Sequence, residues 1–389
     1  MPFINDRLED QALREALTPA ASAPEPSRSA SSPGESRLGA SRFLFDPETV
    51  SAVLRQRIRG QPDALTQIDR ELTRVKADIG EPDRPLAVFL LAGPTGVGKT
   101  ETVRALAEAL HGKADAFCRV DMNTLAQDHY TAAITGAPPG YVGSKEGHSL
   151  IDEEAIRGSF SRPGVVLFDE LEKAGPEVLR SLLGVLDTGR LRLTSGQKQL
   201  DFRNSLIFMT SNLGAADLAR HLNRWQTGWR RFWPRSEPVQ QAALRQRVER
   251  ALDRGLDPEF LNRIDNVLIY YPLPSEARPG VVAELLVQFN RRLRSKGWQL
   301  QVSRALMSRV ERKGFDARFG ARALKRQFRQ QVEVPVAQFL LERPELRPDS
   351  AKPKMPPQAE SELRQMYCDW QHGRVICRQV WARKSEYVK

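Results

Sequence analysis

Cysteine is scarce: Cys118, Cys368 and Cys377 are the whole complement of a 389-residue chain. Three thiols so widely spread are too few for a disulfide framework or a zinc site, so a reducing, cytoplasmic setting is the expectation. Long apolar runs are missing as well. No stretch reaches the roughly eighteen residues that a membrane-spanning helix needs, and the first thirty residues contain no apolar core of a secretory signal. The sequence also lacks a helix-turn-helix, a zinc finger or an RNA-binding aromatic signature. That absence matters because the net charge is +11, a balance that by itself would raise the question of nucleic acid. Much of the excess lies in residues 220–254 and 304–389. Without a recognition motif it reads as a solvated basic face or one that meets acidic partners, and nucleic acid is not expected as a partner.

What is present is a phosphate-binding loop in its full context. Residues 86–91, Leu-Ala-Val-Phe-Leu-Leu, read as a buried strand, and residues 101–110 as a helix. Between them stand Gly93, Pro94, Thr95, Gly96, Val97, Gly98, Lys99 and Thr100. Glycines at these positions let backbone N–H groups close around phosphate oxygens, and the helix N-terminus adds partial positive charge. Lys99 is expected to reach the β- and γ-phosphates of ATP and Thr100 to offer its hydroxyl to Mg²⁺.

Two further apolar runs end in polar tips. Residues 165–168 lead into Asp169 and Glu170, and residues 205–210 into Ser211 and Asn212. Paired acids at the end of a buried parallel strand suit a division of labour. Asp169 holds a Mg²⁺-bound water, and Glu170 polarises the water that attacks the γ-phosphate. Asn212 either orients that water or merely caps its strand. The fold class that follows is α/β, a large phosphate-loop domain with a parallel sheet followed by a small, mostly helical domain.

From about Ile58 to Leu341 the chain resembles a Clp-type AAA+ unfoldase module, most nearly the second ATPase ring of ClpB-like disaggregases. The resemblance rests on GPTGVGKTE, GAPPGYVG (136–143), FDELEKA (168–174), VLDTGRL (185–191), DFRNSLIFMTSNLG (201–214), PEFLNRID (258–265) and FDARFGARALKR (315–326), in that order. It implies that Asn212 is the first sensor. It implies that Arg263 is an arginine finger reaching a neighbouring subunit's nucleotide, which requires an oligomer, a homo-hexamer in the family. Arg322 resembles the second sensor of the small domain. Gly140, Tyr141, Val142 and Gly143 resemble the pore loop, whose tyrosine grips an extended polypeptide substrate.

The departures are informative too. ClpB-like proteins carry two nucleotide-binding modules, a folded N-terminal domain and a coiled-coil middle domain, and this sequence shows one module alone. The tripeptide Ile-Gly-Phe or Ile-Gly-Leu that docks a peptidase is missing, so the compartmental-protease reading stands second to a remodelling chaperone. A nucleotide-dependent assembly switch stands third. Residues 212–258 form a longer segment than usual, containing Trp225, Trp229 and Trp233 at a spacing of four beside several arginines. On a helix these rings share one face. That face either docks a dedicated protein partner, as Trp and Arg often do, or packs onto its own domain.

The organisation expected along the chain is an N-terminal arm over 1–42, with a short amphipathic helix over 1–17 and a disordered Ser/Ala/Pro remainder. A large nucleotide-binding domain then spans 43–274 and a helical lid 275–343. A Pro-rich linker and tail over 344–389 ends in a hairpin near Gln371-His372-Gly373.

Overall fold

The computed structural model describes residues 41–125, 151–192, 199–215, 218, 237–314, 320–342 and 363–380. The expected arm helix over 1–17, the loop Gly140–Gly143, the Trp225/Trp229/Trp233 face and the linker over 344–360 lie outside the described residues. The chain divides into two compact units. Of the described residues, the first unit takes 41–93, 99–215 and 237–270, and the second takes 94–98, 218, 271–342 and 363–380.

The first unit is built on a five-stranded sheet whose strands are parallel throughout. It comprises β1 (Ala87–Ala92), β2 (Cys118–Asp121), β3 (Gly164–Asp169), β6 (Ser205–Ser211) and β7 (Asn266–Ile269), in the spatial order β2-β3-β6-β1-β7. Between β3 and β6 in sequence, β4 (Arg190–Arg192) and β5 (Gln199–Asp201) make a separate antiparallel pair. Every residue of β1, β3 and β6 is buried. Unbroken apolar strands are what a parallel sheet covered on both faces requires. Register sets Phe89 of β1 opposite Phe208 of β6, and their rings stack with centroids 4.7 Å apart.

The helices of this unit show why they start and stop. α1 (Pro47–Arg57) is capped by Asp46, whose carboxylate accepts the Thr49 N–H at 2.9 Å. It is followed by α2 (Pro62–Lys76). α3 (Lys99–His111) begins at the lysine of the phosphate loop and buries Thr102, Val103, Ala105, Leu106, Ala107 and Leu110. α4 (Pro176–Thr188) buries Val178, Leu182, Val185 and Leu186, one apolar stripe at helical spacing, and stops at Gly189 in the left-handed conformation. α5 (Glu237–Gly255) precedes the short helical turn Pro258–Leu261. Because the sheet is parallel, the carboxyl ends of β1, β3 and β6 share one edge. The chain leaves β1 for β2, beyond β6 and β3, whereas β7 returns on the other side of β1. That reversal of order is where open α/β sheets bind their ligands.

The second unit holds α6 (Arg278–Arg294), β8 (Trp298–Val302), α7 (Arg304–Gly314), α8 (Gly320–Phe328) and α9 (Val334–Leu341). Its core gathers Trp298, Leu306, Val310, Leu324, Phe328 and Met366, with Phe289 edge-on to Phe328 and Trp298 edge-on to Phe339. Three features differ from the sequence expectation. Gly320-Ala321-Arg322, which the sequence suggests as a turn between two helices of the lid, forms the first turn of α8 instead. The tail is not separate either: β9 (Arg364–Gln371) pairs parallel with β8, and β10 (Arg374–Val380) pairs antiparallel with β9. A lone β8 would leave its N–H and C=O groups unpaired, and β9 satisfies them.

The third difference is Cys368 and Cys377. His372 and Gly373, both at positive φ, close a two-residue hairpin turn. The turn sets the two cysteines opposite each other, Cα–Cα 4.3 Å, where they form a disulfide. Their spacing along the chain hid a pairing that the strand register creates. Cys118 remains a free thiol, buried, with its pKa pushed up to about 11 by that burial.

Candidate functional site

The carboxyl ends of β1, β3 and β6 bring together most of the residues expected to carry chemistry. The loop that follows β1 holds Gly93, Gly96 and Gly98 at φ values of 152°, 75° and 111°. Gly93 is also confined sterically. Its N–H donates to Ser211 O at 3.1 Å, Tyr270 N–H donates to Ala92 O at 2.8 Å, and a Cβ on Gly93 would sit 2.3 Å from Tyr270 O. Gly93→Ala is therefore expected to cost about 2 kcal/mol or more of stability and to lose ATP binding. Urea unfolding together with nucleotide titration checks both parts.

Lys99 is only 7% exposed. Its ammonium donates to Gly93 O and, at 2.8 Å, to Asn212 Oδ1 at the tip of β6. An ammonium that donates to neutral oxygens such as these can exchange them for anionic ones, which suits phosphate. Behind it, the fully buried Tyr270 hydroxyl donates to Thr102 Oγ1 at 2.9 Å, tying the end of β7 to α3. Burial pushes the Tyr270 pKa up, so the phenol stays a donor at any working pH.

Asp169 is 7% exposed and both of its oxygens are engaged. Oδ1 accepts the Thr210 hydroxyl, and Oδ2 accepts Arg119 Nη2 at 2.6 Å in an ion pair. Glu170 then turns the chain at φ 61° and ψ 54°, a left-handed conformation that a non-glycine residue adopts at a cost of about 1–2 kcal/mol. Its N–H donates to Thr210 Oγ1 at 3.0 Å. Among the described residues its carboxylate has no ion pair or hydrogen bond. Thr210 thus bridges the two acids, donating to one and accepting from the next.

Asn212 is held from the other side. Its backbone N–H and its Nδ2 both donate to Glu172 Oε1, at 3.2 and 3.0 Å. Oxygen donors dominate the metal-binding candidates: the Thr100 hydroxyl and the Asp169 carboxylate are a hard-ligand set, suited to Mg²⁺ rather than to a softer metal. The Arg119 guanidinium beside Asp169 Oδ2 marks a position that already favours positive charge. Among the described residues no group of three or more His, Cys, Asp or Glu side chains clusters as a metal site.

The two arginines are held by other elements. Arg263 follows the short turn Pro258–Leu261. Its Nε lies 2.8 Å from Asp187 Oδ1, an ion pair without hydrogen-bond alignment, and its carbonyl accepts Arg84 Nη2 at 3.4 Å. None of these partners is Lys99, Asp169 or Asn212. Arg322, exposed, lies in the first turn of α8 in the second unit. There the Ala321 N–H donates to Gly96 O at 2.8 Å, and a Cβ on Gly320 would come 2.7 Å from the same oxygen.

Sequence reasoning did not single out Thr210, Glu172, Arg119 or Asp265, whose Oδ2 accepts the Val88 N–H at 2.8 Å and anchors the start of β1. The one signal available for Glu172 was a third acid two places after the Asp-Glu pair. Thr210 and Arg119 join the site through strand register, which no local pattern displays.

Comparison with known proteins adds a second line of observation. Residues 84–267 match the AAA domain (Cdc48 subfamily), and residues 273–351 match the C-terminal, D2-small domain of ClpB protein. Over 302 residues the chain is 47% identical to the ATP-dependent protease ATP-binding subunit-like protein AmiB of Pseudomonas aeruginosa, covering 78% of this chain and 81% of that protein. It is 41% identical over 353 residues to an ATP-dependent protease ATP-binding subunit-like protein of Rhodococcus erythropolis, covering 91% and 95%. The Chaperone protein ClpB of Vibrio cholerae is 38% identical over 291 residues, which span 74% of this chain but 32% of ClpB. Among the described residues no helix is long and apolar enough to cross a membrane.

Proposed function

The chain belongs to the Clp-type AAA+ ATPases and hydrolyses ATP, and from that premise we propose that it is a polypeptide-remodelling motor working as a homo-hexameric ring. The observation that carries the chemistry is the convergence of Lys99, Asp169, Glu170 and Asn212 on three adjacent strand ends. Residues Gly93 to Thr100 bind the triphosphate, and Lys99 turns from Gly93 O and Asn212 Oδ1 to the β- and γ-phosphates. Thr100 and Asp169 are the residues that would hold Mg²⁺, which when bound neutralises charge on the phosphates. Glu170 takes the proton of the attacking water, and Asn212 orients that water through its amide oxygen. Arg263 of a neighbouring subunit stabilises charge on the transferring phosphoryl group, and Arg322 acts as the second sensor. Tyr141, between Gly140 and Val142-Gly143, grips the substrate chain in the pore. Support for this last step is the GAPPGYVG sequence together with the ClpB-like relatives.

A second reading, the ATPase partner of a peptidase, is favoured by the names of the two relatives that cover most of this chain. The missing Ile-Gly-Phe or Ile-Gly-Leu tripeptide weighs against it. Both readings meet one experiment. Glu170→Gln, loaded with ATP in its native cells and recovered, is expected to retain polypeptide, either a broad set of misfolded chains or one recurrent partner. A recovered peptidase barrel would establish the second reading. A variant that binds ATP yet holds no polypeptide would remove the threading motor and leave a nucleotide-dependent switch.

A further inference from the structure

We infer that Glu172 is a positioning residue for hydrolysis, fixing the Asn212 amide in the one orientation that presents its oxygen to Lys99 and to water. The inference rests on the reading of Asn212 as the residue that orients the attacking water.

A primary amide has one accepting and one donating end, and an asparagine at a strand tip can rotate to present either. Here both ends are decided. Glu172 is an acceptor, and Oε1 takes two bonds from the same residue, the Asn212 backbone N–H at 3.2 Å and Nδ2 at 3.0 Å. Nδ2 must therefore face Glu172. Oδ1 then faces away, and it accepts from Lys99 Nζ, a group that can only donate, at 2.8 Å. When Lys99 turns to phosphate, one of these two constraints is lost. Glu172 is the constraint that remains, and it keeps Oδ1 available to accept a hydrogen from water. Without it, the amide flips at little cost and offers water a donor, the wrong polarity for activating a nucleophile.

Glu172 is well placed to do this. It sits in the 3₁₀ turn Leu171–Lys173 that follows Glu170, and that turn is closed by the Lys173 N–H to Glu170 O bond at 2.9 Å. Base and positioning residue therefore share one short rigid segment. The other oxygen, Oε2, is buried and makes no hydrogen bond among the described residues. Burying a carboxylate oxygen unpaired opposes folding. Packing alone would be served better by an apolar side chain, whereas taking both bonds from Asn212 requires an accepting oxygen.

The test is steady-state ATPase kinetics of the full chain, with nucleotide affinity measured by titration with a fluorescent ADP. The variants are Glu172→Ala, Glu172→Gln, Asn212→Ala and the double Glu172→Ala/Asn212→Ala. Outer residues that orient a reacting group typically contribute 10–100-fold, so Glu172→Ala should lower kcat by about that factor. KM for ATP and ADP affinity should stay within about threefold of wild type, since binding is not what the residue serves. Glu172→Gln keeps an accepting oxygen and should recover most of kcat. The double variant should be no slower than Asn212→Ala, because Glu172 acts through the amide.

If Asn212→Ala is slow but Glu172→Ala turns over like wild type, the inference about Glu172 is wrong and the reading of Asn212 survives. Losses that multiply in the double variant would show that Glu172 acts independently, which also overturns it. A fall in ADP affinity matching the fall in kcat would mark a merely structural role. Wild-type kcat in Asn212→Ala would sink both assignments.

Discussion

Glu170→Gln should bind ATP as tightly as the wild-type protein and hydrolyse it about 10²–10⁴-fold more slowly, the contribution expected of a general base. Three observations make the effect specific to chemistry. The carboxylate has no structural partner among the described residues, so its replacement breaks no hydrogen bond or ion pair there. The backbone anchor, the Glu170 N–H to Thr210 Oγ1 bond, is independent of the side chain. The left-handed turn at φ 61° costs glutamine about what it costs glutamate. Thermal stability should therefore stay at the wild-type value while single-turnover hydrolysis collapses. Wild-type turnover in this variant would remove Glu170 from the mechanism and leave Asp169 as the acid to test next.

Arg263→Ala should lower kcat about 10³-fold, at the low end of what an arginine finger contributes, with little change in the stability of the subunit. Among the described residues the one ion pair lost is with Asp187. Both side chains are about two-fifths exposed, and such surface pairs contribute at most about 1 kcal/mol. A large kinetic effect cannot then come from unfolding. Nor do its contacts within the subunit supply it, since they run to Asp187 and Arg84. The effect is expected across a subunit boundary, and mixing separates the two routes. Titrating Arg263→Ala subunits into wild-type protein should depress activity out of proportion to their fraction, because each one disables its neighbour's site. Loss in strict proportion would place the arginine's action within its own subunit.

Much of the nucleotide site is legible in the sequence because its parts are local. Residues 93–100 carry their own geometry, glycines where φ is positive and a lysine at the start of a helix. The strand runs ending at Asp169 and Ser211 announce themselves by unbroken apolar character. β8 is legible by a different local pattern, the alternation of core and surface residues from Trp298 to Val302. What escaped notice is non-local. Thr210 stands on the buried strand run whose tip drew attention to Asn212, but its bridge between Asp169 and Glu170 exists only because β6 lies beside β3. Arg119 meets Asp169 because β2 is the next strand over. Cys368 and Cys377 looked unrelated until the two-residue turn His372-Gly373 set their strands in register. The hairpin near His372-Gly373 is expected from the sequence, but nothing near it in the chain reveals that its strand β9 pairs with the open edge of β8.

The chain by itself therefore determined the chemistry on offer: a phosphate loop, two acids at one strand end, an asparagine at another, and the resemblance that orders them. These follow from short-range rules, apolar periodicity and backbone permissiveness, which act over a few residues. Tertiary structure decided how the groups are held. It set Lys99 against Asn212, Thr210 between the two acids, and Glu172 behind the amide, because parallel strand order brings together residues some forty to more than a hundred positions apart. Polarity at a strand tip is written in one residue, but the orientation of that residue is fixed by partners that only the folded sheet supplies.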